Sequence, residues 1–202
     1  MKWIALLALV GAAHASGEEY RVDTVHSSIV LRVDHLGFSR SVARVMRWEA
    51  DLVFDASVPS QNRVEVQIDA ASIDFGDATW NRTMQGARWL NVELHPEIRF
   101  VSKPGGWLDR EVRAEKDPAP VELVGTLSLN GVDRDVTLAV IPNRVGTHPL
   151  TLKRIAGFSA RGSFKRSDFG IAASLGDVGD DVEVLIEIEA QLKSERKPGR
   201  KR

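Results

Sequence analysis

Through most of this chain apolar residues recur two apart with polar residues between them, the period of a strand with one buried face. Ile29, Leu31 and Val33 share one face while Ser28, Arg32 and Asp34 share the other, up to His35-Leu36-Gly37. Trp48, Ala50, Leu52 and Phe54 oppose Arg47, Glu49, Asp51 and Val53, and Val64, Val66 and Ile68 oppose Arg63, Glu65, Gln67 and Asp69. The pattern resumes at Ile98 and Phe100, at Leu123, Gly125, Leu127 and Leu129, and at Val136, Leu138 and Val140. It returns in Phe158 to Phe164 and in Val182, Val184, Ile186, Ile188 and Ala190, with Asn130-Gly131 as a hairpin turn between two of the runs. These runs predict an all-β protein of about eight strands. The exception is about residues 76–92, where Trp80, Met84, Ala87 and Trp89-Leu90 are spaced for a short helical insert that must stop before His95-Pro96.

Eight short strands close either as a two-sheet sandwich or as a barrel, and size favours the barrel. The inward positions mix aromatics (Trp48, Phe54, Phe100, Phe158) with small residues (Ala50, Gly125, Ala160, Gly162). Small inward residues mean either tight cross-packing or room for a guest, because an eight-stranded barrel is just wide enough to hold one small ligand. With no cysteine in the chain, neither disulfides nor thiol chemistry is available, and stability has to come from apolar packing.

The termini read differently from the body. Lys2, the apolar run Trp3 to Ala13 and the small residues of Ala13-His14-Ala15 have the form of a signal peptide spanning 1–15, about half the length needed to cross a bilayer. Export to the periplasm is the expectation, with one domain at 16–192. Residues 193–202 hold Lys193, Arg196, Lys197, Arg200, Lys201 and Arg202 against Glu195 alone, in a chain of net charge −1, so the body is acidic. Pro198 and Gly199 make this a disordered basic tail, either solvated or drawn to anionic lipid headgroups.

No constellation for catalysis stands out. The mature histidines His26, His35, His95 and His148 form no metal or nucleophile motif, and there is no glycine-rich phosphate loop. No metal, cofactor or nucleic acid is expected. His35 is in phase with Ile29, Leu31 and Val33 and should point inward, either as a satisfied core residue or as a polar group fixing a ligand's head at a barrel mouth.

Specific residues carry the reading further. The opening Tyr20-Arg21-Val22-Asp23 with His26-Ser27 and His35-Leu36-Gly37 is followed by Ile68-Asp69-Ala70-Ala71-Ser72-Ile73-Asp74. Then come His95-Pro96 with Ile98-Arg99-Phe100, Leu129-Asn130-Gly131-Val132 and Arg166-Ser167-Asp168-Phe169-Gly170-Ile171. Val178-Gly179-Asp180-Asp181-Val182 and Ile186-Glu187-Ile188-Glu189-Ala190 close the series. In this order the motifs resemble the YceI-like family of exported, lipocalin-like polyisoprenoid-binding proteins along nearly the whole mature length. The resemblance implies an eight-stranded antiparallel barrel with a helical insert, holding an isoprenoid lipid or quinone as a carrier and not an enzyme. Leu31, Val33, His35, Trp48, Phe54, Trp89, Phe100, Phe158 and Phe169 are the expected ligand-binding residues.

Departures from the family pattern fall in the insert. Where the family usually has Arg-Asp-x-His-Leu this chain has Trp80, Asn81, Arg82, Thr83 and Met84, and where it has Asp-Phe-Phe-Asp-Val this chain has Arg88, Trp89, Leu90, Asn91 and Val92. Arg82 and Arg88 are therefore either solvated or placed to favour an anionic headgroup. Two other readings stay open: an enzyme acting on a lipid or quinone through His35, and an interaction protein whose barrel is only scaffold.

Overall fold

The computed structural model describes residues 17–107 and 119–193. The leader expected at 1–15 and the tail beyond Lys193 lie outside the described residues. The strands are β1 (Glu18–Val22), β2 (Ser28–His35), β3 (Ser39–Val45), β4 (Trp48–Phe54), β5 (Arg63–Asp69) and β6 (Ile73–Asp74). One helix, α1 (Ala78–Gln85), precedes β7 (Glu97–Trp107), β8 (Val121–Leu129), β9 (Val132–Thr147), β10 (Arg154–Lys165) and β11 (Val178–Leu192).

The eleven strand segments form a closed antiparallel barrel of eight strand positions. β1 and β2 lie end to end along β11, with Tyr20 opposite Leu192 and Ile29 opposite Ile186. On their other side β1 pairs with β4 and β2 with β3, so each pair of segments is one bent strand. β5 and β6 make a third, joined by a 3-10 turn whose Ala71 amide donates to the Asp69 carboxylate. The wall then runs through β7, β8, β9 and β10 to β11, which closes on β1. β8 and β9 meet at Leu129 and Val132 across the expected Asn130-Gly131 turn. Both turn residues have positive φ, 52° and 75°, as a two-residue turn matched to strand twist requires.

Strands β1, β3 and β6 were not among the eight runs of the sequence. In β3 the inward residues are Ser41, Ala43 and Val45 while Val42 faces solvent, so its apolar signal is weak and partly out of phase. Val53, expected on the solvent face of β4, is only 6% exposed because the chain at Gly17 lies against its Cγ1. The insert is a two-turn helix started by Asp77, whose carboxylate accepts from the Thr79 and Trp80 amides at 2.9 and 2.8 Å. It then runs through turns to Leu94.

The core is the barrel interior. Gly125 shows tight cross-packing, since an added Cβ would stand 2.2 Å from the Phe100 ring and 2.8 Å from the Val101 carbonyl. Phe54, Trp107 and Phe158 plug the end of the barrel where β4 and β7 finish, with ring centroids 5.0 to 6.3 Å apart. Such edge-on aromatic pairs contribute about 0.5–1.5 kcal/mol each beyond area burial.

Tyr20 is fully buried near this end, its hydroxyl donating to Glu18 Oε2 at 2.8 Å. Burial, assisted by the Glu18 carboxylate, pushes the phenol up to about 12. Its folded value thus exceeds the ordinary one near 10, so its contribution to stability is complete below pH 10 and disappears as the pH climbs toward 12. Tyr20 is the chain's single tyrosine, so an ultraviolet titration of the phenolate reads it alone. A midpoint near 12 in the native protein, falling to about 10 in denaturant, is expected. A native midpoint near 10 would mean that the phenol is hydrated.

Candidate ligand-binding cavity

Above the aromatic plug the barrel is hollow. A cavity of about 240 Å³ runs along its interior, and nearly every atom facing it is carbon. An engineered apolar cavity of about 150 Å³ stays dry and accepts small apolar guests. A larger one with a carbon wall is therefore built for an apolar guest rather than for water.

The wall comes from strand periodicity. β2 contributes Ile29, Leu31 and Val33, β4 Trp48, Ala50 and Leu52, β5 Val64, Val66 and Ile68, and β11 Val182, Val184, Ile186 and Ile188. Ala50 and Ala160, unlike Gly125, leave open space in front of them. Both meanings of a small inward residue thus occur in one barrel.

At the end opposite the plug, Phe75, Met84, Trp89 and Leu90 come down from α1 and its flanking turns. Arg166, 4% exposed, sits beside them. Its Nε donates to the Gly179 carbonyl, its Nη1 to those of Ile171 and Ala173, and its Nη2 to that of Val178, all at 2.8 Å. The guanidinium also lies 5.1 Å from the Trp89 ring centroid. Burial pushes it below its ordinary value, opposed by the Asp180 charge. Partial burial pushes Asp180 up, but the Ser167 hydroxyl and amide, donating at 2.8 and 2.9 Å, hold it below the usual carboxylate value. This planar five-donor fork ties the 3-10 turn at Arg166–Phe169 to the start of β11, a geometry that lysine cannot reproduce.

Of the nine expected ligand-binding residues, Leu31, Val33, Trp48, Trp89, Phe100 and Phe158 are on the cavity wall. Three are elsewhere. Phe54 is 1% exposed within the plug, below the hollow part. Phe169 is equally buried but packs on Phe164 at 5.3 Å, behind the wall. His35 ends β2 at the rim, where its ring meets Trp80 at 6.2 Å. Among the described residues no side-chain hydrogen bond or ion pair reaches His35, and no three metal-ligating side chains cluster. Arg82 and Arg88 are exposed and off the cavity, with Arg82 donating to the Thr79 hydroxyl at 3.1 Å.

Sequence reasoning did not single out Arg166, Phe75, Met84 or Ile171 as cavity residues. An arginine reads as solvated on composition alone, and its only signal was the ordered motif from Arg166 to Ile171.

The barrel has a seam. β3 is paired with β6 only at Arg44 and Val45, opposite Asp74 and Ile73. From Ala43 back to Ser39 its outer edge has no strand neighbour, although Ser41 and Ala43 face the cavity. α1 lies across this gap, held by Gln85 Nε2 donating to the Ala71 carbonyl at 3.0 Å and by Asn81, which accepts from the Phe75 amide and donates to Asp74, both at 2.7 Å. Trp80 bridges Phe75 and His35 above it.

A family model described as a YceI-like domain matches residues 20–190. The chain belongs to the YceI-like family. It is 32% identical over 187 residues to Protein YceI of Salmonella arizonae, covering 92% of each chain. Its barrel is similar to that of BcnA from Burkholderia cenocepacia, with a TM-score of 0.70 at 22% identity over 83% of this chain and 98% of that one. A polyisoprenoid binding domain from Saccharophagus degradans, implicated in plant cell wall breakdown, aligns with a TM-score of 0.60 at 13% identity over 86% of this chain and 98% of that one. These two structures share the family's fold; they carry no residue-level correspondence at such identities.

Proposed function

We propose that this member of the family is a periplasmic carrier that shelters a long isoprenoid chain, as a polyprenyl lipid or quinone, inside its barrel. The observation that carries the reading is the carbon-lined cavity running from the Phe54, Trp107 and Phe158 plug to the α1 end. Shelter needs no chemistry from the wall. Removal from water contributes about 0.8 kcal/mol per methylene, so each five-carbon unit gains roughly 4 kcal/mol before ordering costs. Affinity therefore has to grow steeply with tail length until the cavity is full. The polyisoprenoid binding domain of Saccharophagus degradans supports the chain type, and the leader-like residues 1–15 support the compartment.

Trp48, Trp89 and Trp107 line the cavity, which makes quinone quenching of their fluorescence a direct readout. Delipidated protein titrated with prenyl quinones of increasing tail length should be quenched, with affinity rising at least tenfold per added isoprene unit over the first units. Quenching that ignores tail length, or none at all, would count against the carrier.

A further inference from the structure

Large apolar side chains are normally covered, yet several are displayed around the seam. Phe38, at the β2–β3 turn, is 91% exposed. Along the outward face of β3, Arg40, Val42 and Arg44 follow at two-residue spacing, and Met46 continues the line toward β4. Val42 and Met46 are both more than half exposed. Leu36 and Leu175 stand exposed on adjacent turns, joined by the Leu36 amide donating to the Asp177 carbonyl at 2.7 Å. Leu36 holds its side chain out at a φ of +57°, a conformation that leucine rarely adopts. Trp80 joins the patch from α1.

Cations are interleaved with this surface. Arg44 and Arg88 have no carboxylate partner among the described residues, and Arg82 binds only the Thr79 hydroxyl. Asp34, Asp74 and Asp77 stand at the same end, each accepting a backbone amide in its own turn, and Asp74, opposite Arg44 in the strand register, also accepts from Asn81. Glu183 is taken by Arg32 and Arg40, at 3.2 and 3.3 Å. Exposed aromatic and aliphatic groups with unpaired arginines among them are the chemistry of a bilayer interface, where the rings enter the headgroup layer and guanidinium groups meet phosphate. The patch borders the outer edge of β3 from Ser39 to Ala43, which has no strand neighbour among the described residues.

We infer that the β3 face and the α1 rim dock on a phospholipid surface containing anionic lipid, placing the seam where a guest passes between bilayer and cavity. The purpose of this dock rests on the carrier reading, but its test does not. Phe38, Met46, Arg44 and Arg88 are all exposed, so none of these replacements opens a hole in the core.

Cosedimentation with phosphatidylglycerol vesicles, using protein expressed in its native host, tests the dock. Binding should be weaker on phosphatidylcholine vesicles, fall at least tenfold in Phe38→Ser/Met46→Ser and in Arg44→Glu/Arg88→Glu, and survive in Leu150→Ser/Leu152→Ser, which alters exposed leucines on a separate loop. The inference is overturned if the protein ignores phosphatidylglycerol, if the β3 variants bind like the parent, as docking through the basic tail would give, or if the Leu150/Leu152 variant is the one that fails. Pull-down of a second copy or of another protein through Phe38, without vesicle binding, also overturns it. Guest content measured on the same variants separates failure of the dock from failure of the carrier reading.

Discussion

Replacing Arg166 by methionine is expected to lower folding stability by about 3–5 kcal/mol, close to the penalty for breaking a buried charged network. The four carbonyls of Ile171, Ala173, Val178 and Gly179 lose their donors together. Methionine fills much of the volume but offers no N–H, and each buried acceptor left unpaired costs about 1–3 kcal/mol. Trp89 loses the cation beneath its ring as well. Arg166→Lys should recover only a small part, because one ammonium cannot reach four divergent acceptors. Urea unfolding measures both variants. A loss under about 1 kcal/mol in Arg166→Met would show that water replaces the guanidinium without penalty, and that the fork is not what holds this end together.

The second large effect concerns the hollow itself. Ala50 and Ala160 border open space, so Ala50→Phe/Ala160→Phe should fill the cavity, cut affinity for a prenyl guest at least a hundredfold, and leave stability unchanged or raised. Gly125→Ala is the contrasting change at a packed inward position. Its methyl group meets the Phe100 ring and the Val101 carbonyl, so it should cost about 1–3 kcal/mol, as overpacking does. Thermal unfolding and guest titration on these variants separate cavity from core. If the double phenylalanine variant were strongly destabilised while still binding its guest, the space in front of Ala50 and Ala160 would not be where the guest sits.

These contrasts also show which parts of the molecule were legible in the sequence. A period of two fixes which face of a strand is inward, which is why β2, β4, β5, β8 and β11 could be read and why Leu31, Trp48 and Phe100 were placed on the wall. Period carries no information about depth along the barrel axis. Phe54 is in phase with Trp48 yet lies in the plug, and His35 is in phase with Leu31 yet ends its strand at the rim. β3 escaped notice because a cavity wall tolerates Ser41 and Ala43 where a packed core needs bulk, while the apolar Val42 and Phe38 point outward.

The strand continuing to Trp107 was hidden for another reason. Ser102-Lys103-Pro104-Gly105-Gly106 has the composition of a turn, and β7 accommodates it as an irregularity in register between Ser102 and Trp107. Arg166 showed only through its motif, because its partners are backbone carbonyls, which every sequence possesses.

The most direct measurement is of what the barrel holds when it is taken from its own cell. Protein purified from its native host without detergent, examined intact by native mass spectrometry and then extracted with organic solvent, should carry one isoprenoid-chain lipid per barrel. Ala50→Phe/Ala160→Phe prepared in parallel should carry none. Wild-type protein that is consistently free of any apolar guest, or a filled variant that retains the same lipid in the same amount, would contradict the assignment of the cavity as a lipid site.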